Sequence, residues 1–369
     1  MAKRILNEEQ LIDVIWGATL MGGGGGGAMT NGMDLLNTYK KLHSEKTVQL
    51  TLYDTNEMDE NAYATVTCGM GAPTVLKTVD FSKYAVNAFN TLKDMAGQMN
   101  PPRKLEYVFP VELGGFNTFC PMLISLLEDI PLIDTDGAGR AVPALDTLLL
   151  HVNGLETSPL AMADANNNQI SIKLQNPKDA PMGEEIGRWI CTAFGQISGL
   201  SGWMVKKADI ENSLPCGTIS LCEKIGHELR ECAKTGDNVF DRLNHIGVEC
   251  KLLTKGKVVK CENLQKKGFD YGKVYVEGND GQWIIYFQNE NLLVEHEGKA
   301  VMTVPDITCF YNTANGMPLT NADIEENMEI CLGAIKAPSA WWKNPNMFEI
   351  WKPFLENVGY TGKNIPFSK

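Results

Sequence analysis

A chain of 369 residues with 44% hydrophobic and 21% charged residues has enough material for two domains with full-sized cores. Its formal net charge of −12, with no local Lys/Arg-rich block, argues against nucleic acid as a partner. No apolar run reaches the roughly 18 residues of a membrane span, and ten cysteines without a C-x-x-C pair fit reduced thiols in a cytoplasmic protein.

Lys3 and Arg4 ahead of apolar residues give the start of the chain a superficial likeness to a signal peptide. Asn7, Glu8, Glu9, Gln10 and Asp13 break that run, so the segment reads as an amphipathic helix burying Leu11, Ile12, Ile15 and Trp16. Six glycines follow, Gly22 to Gly27. Glycine loses the most backbone entropy on ordering, so a run between two apolar-periodic segments reads as a loop in close contact with something. Successive amides there would make an anion-binding nest, with Gly23, Gly24 and Gly25 as candidate substrate contacts; a purely structural turn is the competing reading. No Gly-Lys-Ser/Thr follows, so there is no nucleotide motif.

Val48–Leu52 and Ala64–Cys68 read as strands. The second enters a glycine loop at its carboxyl end, the usual place for a ligand in an α/β sheet, which makes Gly71 and Thr74 candidates. A helix is expected over Val86–Met99, then a strand over Leu105–Pro110. That strand leads to Glu112, Asn117 and Thr118 at a Gly-Gly turn, and to a helix from about 117 to 129. Cys120 falls one turn into this helix, where the dipole favours a thiolate; a buried core cysteine is the alternative.

The strand Leu132–Asp134 opens Asp134-Thr135-Asp136-Gly137-Ala138-Gly139-Arg140. Residues two apart share a face of an extended strand, and two like charges so placed raise one pKa unless a cation intervenes. Arg140 is one candidate cation; a divalent metal held by Asp134 and Asp136 is the other. An aspartate-rich turn is the competing reading. An EF-hand is excluded, because Ala138 and Leu145 stand where ligands are required. The histidines show no ligand spacing.

The alternation predicts a three-layer α/β N-terminal domain over residues 1–165, with the strand ends near Gly71, Glu112 and Asp134 meeting at one mouth. An α+β C-terminal domain follows over 166–369. It contains helices at Glu184–Ser198 and from Gly217 to Thr235, the latter capped by Gly236, and a β-rich lobe over about 247–335. Phe287–Asn291, polar for a strand centre, reads as an exposed edge.

Taken in order, MGAPTV (70–75), ELGGFNT (112–118), DTDGAGRAVPAL (134–145), GTISLCEKIG (217–226), FQNEN (287–291) and TVPD (303–306) resemble the S-methyl thiohydantoin desulfurase family. This was formerly a family of unknown function, sometimes fused or adjacent to hydantoinase/oxoprolinase-type subunits. Two departures stand out: the tract LMGGGGGG where the family reads more like L-G-T-G-G-G-G, and Ala144 where a glutamate is common. The resemblance implies a hydrolase-type enzyme that attacks C2 of an S-alkyl thiohydantoin and releases a thiol. For that reaction Asp134 or Asp136 is expected to activate water, or to hold a metal that does. Glu112 or Arg140 would stabilise ring charge and Asn117 would orient the ring amide, with Cys120 as the nucleophile of a less favoured covalent route. A small-molecule substrate and a homo-oligomer are expected. The readings from other classes are a non-catalytic subunit of a hydantoinase/oxoprolinase-type enzyme and a small-molecule sensor.

Overall fold

Asn7 ends the first strand and starts the first helix in one step. Its side chain accepts from the Gln10 amide, and Gln10 Oε1 accepts from the Asn7 amide, both at 3.0 Å, a reciprocal capping box. The computed structural model to which this geometry belongs describes residues 3–71, 79–266 and 269–368, and Thr74 lies outside them. Helix α1 (Glu8–Met21) buries Leu11 and Ile15 fully and Ile12 and Trp16 in part. It crosses the long helix Thr218–Thr235 backbone to backbone. A Cβ on Gly17 would lie 1.8 Å from Cys222 O, and one on Gly226 1.8 Å from Asp13 O.

The first sheet has eight strands: β1 (Arg4–Asn7), β2 (Gln49–Tyr53), β3 (Tyr63–Gly71), β4 (Leu105–Phe109), β5 (Leu132–Ile133), β6 (Leu160–Ala163), β7 (Gln169–Ile172) and β8 (Ile197–Val205). Their order is β1-β2-β5-β4-β3-β8-β6-β7, with β2, β5, β4 and β3 mutually parallel and antiparallel strands on both flanks. Strands β7 and β8 carry this sheet past residue 165. Alternation divides its side chains between two cores. Val108 and Leu132 face one side, with α1, α2 (Met29–Leu42), α3 (Phe81–Gly97) and α4 (Phe119–Glu128). Tyr107, Phe109 and Ile133 face the other, with α5 (Ala180–Ala193) and the C-terminal helix Met347–Asn357. The layers are helix, sheet, helix, so the α/β architecture read from the alternation is the one observed.

The second sheet is wholly antiparallel: β9 (Cys250–Lys266), β10 (Phe269–Gly278), β11 (Gly281–Gln288), β12 (Glu290–His296), β13 (Lys299–Thr303), β14 (Ile307–Asn312), β15 (Pro318–Leu319) and β16 (Glu329–Ile335), ordered β13-β12-β11-β10-β9-β16-β14-β15. Here one expectation fails. Phe287–Asn291 is not an exposed edge: β11 and β12 are interior strands, and Gln288, Glu290 and Asn291 are buried. Asn289 takes the left-handed turn between them at φ 58°. The polar side chains are covered by other parts of the chain rather than by solvent: Glu290 meets Gly25, Asn291 Nδ2 donates to Thr308 O and Gln288 Oε1 accepts from Asn357 Nδ2. Among the described residues no helix is long and apolar enough to cross a membrane.

Candidate functional site

The glycine tract is the seam between the two domains. Asn291 N donates to Gly23 O at 2.9 Å and Asn321 N to Gly24 O at 2.8 Å from the second domain, while Asn117 N reaches Gly26 O at 3.1 Å from the first. A side chain has no room here: a Cβ on Gly24 would lie 2.6 Å from Asn321 Nδ2, and one on Gly25 2.0 Å from Glu290 Oε1. The tract therefore is a close approach, as its composition suggests. Three amides of the tract are already engaged by the protein. The Gly23 amide is taken by Leu20 O, the Gly25 amide by Gly22 O, and the Gly26 amide by the Glu290 carboxyl.

Against this seam lies a cavity of about 510 Å³ lined from both domains. Of the residues singled out in the sequence, Gly24, Gly25, Gly71, Glu112 and Asn117 line it. Glu112 sits at the end of β4, where Oε1 accepts from Asn117 Nδ2 at 2.7 Å and Oε2 from the Val142 amide at 2.8 Å. Asn117 Oδ1 in turn accepts from the Gly69 amide at 3.2 Å, linking the ends of β3 and β4. Burial pushes the Glu112 carboxyl up to about 7, against the pull of Val142 and Asn117.

The remaining candidates among the described residues do not line the cavity. Asp134 caps the helix that begins at Thr218: Oδ1 accepts from the amides of Ile219 (2.8 Å) and Ser220 (3.0 Å), and Oδ2 from the Ser220 hydroxyl. Asp136 Oδ2 accepts from the amides of Ala138 (2.9 Å) and Gly139 (2.6 Å), and burial pushes this carboxyl up to about 7. The expected rise of one aspartate occurs, with burial as its main cause and Asp134 a minor one. Three of the four oxygens are thus engaged by protein donors, a poor fit to a shared metal. Among the described residues no group of three or more His, Cys, Asp or Glu side chains is arranged to hold one.

Arg140 is fully buried and aims at backbone rather than at a ligand. It donates to the carbonyls of Ala141 (2.9 Å), Pro305 (2.7 Å), Asp306 (3.0 Å) and Asn291 (3.2 Å), with its guanidinium 5.2 Å from the Trp351 ring centroid. Thr118 Oγ1 serves the turn, accepting from the Gly114 amide at 3.0 Å. Gly23 belongs to the seam behind the cavity wall. Cys120 is in the core with its thiol 3.4 Å from Phe116 O, and burial pushes its pKa up rather than down. The helix dipole loses to desolvation at that position.

The sequence reading missed the cavity's second buried carboxyl, Glu290. It is 3% exposed and held well above the ordinary carboxylate range by burial and by the nearby charge of Glu112, with Arg140 opposing. The signal was the polar run in Phe287–Asn291, misread as a surface edge. Asn321 and Arg188 were also missed; Arg188 holds Glu184 at 2.6 Å on the opposite rim.

An α/β domain built on a mixed sheet and an antiparallel β domain that together line a cavity define the class of protein. The chain belongs to the S-Me-THD-like family: the model of its N-terminal domain matches residues 9–174 and that of its C-terminal domain residues 178–361. In fold it is similar to a crystallised protein from Chromobacterium violaceum, with a TM-score of 0.87 over 99% of this chain and 100% of that one at 24% identity. No curated protein matches the chain.

Proposed function

We propose that this chain hydrolyses the C2–sulfur bond of an S-alkylated thiohydantoin or a related hydantoin-like ring, releasing a thiol. One observation carries the reading: two buried carboxyls, Glu112 and Glu290, line one cavity, and burial raises both, Glu112 to about 7 and Glu290 well above the ordinary carboxylate range. Carboxyls whose environments separate their proton affinities suit a base and an acid in one site.

The chemistry needs both. Water adds to the amidine-like C2 and loses a proton to Glu112, while the C=N π pair takes the Glu290 proton onto the ring nitrogen. Collapse then breaks the C–S bond: the proton on Glu112 leaves with sulfur, and the hydroxyl proton restores Glu290. Asn117, held by Gly69, fixes the orientation of Glu112. Asp134 and Asp136 act at a distance, by anchoring the loop that positions Val142. Cys120, neutral and outside the cavity, has no step.

The test is incubation of the purified chain with an S-methyl thiohydantoin while methanethiol is measured. Release above the buffer control is expected; its absence across ring substituents removes the proposal. Cys120→Ala should release methanethiol as wild type does, and an inactive, folded variant would restore the covalent route. The pH profile of kcat/KM should rise through about 7, because the base must be ionised. It should fall again once the pH is high enough to take the proton that Glu290 donates, because burial raises that carboxyl. A profile flat between pH 5 and 9 would contradict the assignment.

A further inference from the structure

Among the described residues, two that line the cavity, Asn321 and Glu290, each carry a buried oxygen without a hydrogen-bond partner, and the two offer opposite chemistry. Asn321 Nδ2 donates to Asn289 O at 2.8 Å, which fixes the amide the right way round. Its Oδ1 is left buried and unpaired, an acceptor with no proton to give. Glu290 Oε2 is likewise buried and unpaired, and belongs to a group that can carry a proton. Both residues press on adjacent glycines, Asn321 on Gly24 and Glu290 on Gly25, so they occupy one corner of the cavity. Buried polar atoms without partners are uncommon in a folded chain, and a complementary ligand edge accounts for both at once.

We propose that Asn321 and Glu290 read the amidine edge of the ring, Asn321 Oδ1 accepting from the one ring N–H and Glu290 facing the bare ring nitrogen. This rests on the cyclic-substrate reading above and deepens it. An S-alkylated thiohydantoin carries a single N–H that its two ring nitrogens share by tautomerism. Asn321 selects the tautomer that leaves the other nitrogen bare opposite the proton donor. Rings whose nitrogen carries an alkyl group in place of that hydrogen are rejected.

The probe is 2-ethylimidazol-4-one, in which a methylene replaces sulfur so that nothing can leave, compared with its N-methyl derivative by calorimetric titration. Wild type should bind the N–H form about tenfold more tightly, the scale of one buried hydrogen bond. Asn321→Ala should bring that ratio to about twofold or less by weakening the N–H ligand alone. Equal affinity of wild type for the two ligands overturns the proposal without reference to any variant. So does a ratio that survives in Asn321→Ala, an equal loss for both ligands, or no binding of either. Because the probe is not turned over, the two readings fail separately. An N–H preference without methanethiol release would sink the reaction alone, and release without the preference would sink this inference alone.

Discussion

Glu112→Gln should lower kcat for methanethiol release by about 10²- to 10⁴-fold, the range for losing a positioned general base. Among the described residues three of the four other carboxyls lining the cavity are otherwise engaged, and the fourth is Asp270. Glu184 is paired with Arg188 at 2.6 Å, and Asp323 Oδ2 holds the Thr320 amide at 2.9 Å. Glu290, held well above the ordinary carboxylate range by burial, is assigned the acid's role. Glutamine keeps the volume but offers one acceptor where Asn117 Nδ2 and the Val142 amide both donate. One donor is then left facing an amide NH₂, which costs about 1–3 kcal/mol of stability. Thermal melting separates that cost from the chemical one. The informative measurement is the pH profile, in which the rise through about 7 should disappear along with the rate. A folded variant that turns over within a few-fold of wild type would remove Glu112 from the role of base.

The fold was legible where local chemistry decides it. Gly236 stops the helix Thr218–Thr235 in a left-handed conformation at φ 79°, as a glycine there promises. Glu112 and Asn117 were legible because strand, glycine turn and helix start place them together whatever the rest of the chain does. Asp134 was not, because its partners are the amides of Ile219 and Ser220, distant in the chain, and a capping carboxylate looks the same in sequence as a catalytic one. Asp136 misled for a related reason, its partners being the amides of its own loop. Glu290 was missed because period-two alternation distinguishes the two faces of a strand without saying what covers each. Polar residues beneath other parts of the chain look the same as polar residues in water. The glycine tract was half legible: its composition demands close approach, but whether the neighbour is a ligand or another domain depends on residues far along the chain.

Arg140→Met should cost about 3–5 kcal/mol, although Arg140 does not line the cavity. Its guanidinium is the common donor to carbonyls of both domains: Ala141 in the first, and Asn291, Pro305 and Asp306 in the second. Methionine fills much of the space and leaves these acceptors without that donor. Arg140→Lys should fall between the two, since one ammonium cannot reproduce the planar fork. The charge matters as well as the bonds. Arg140 pulls against the rise of both Glu112 and Glu290. Removing it makes ionisation of Glu112 harder, so the acid limb of the rate profile should move above 7. A purely mechanical tie would change melting and leave that limb where it was; a purely electrostatic role would move the limb and leave melting unchanged. Both should change together in Arg140→Met. A melting temperature within about 1 °C of wild type, well inside the shift of several degrees that such a loss gives a domain, would show that the seam is held by the glycine-tract hydrogen bonds instead.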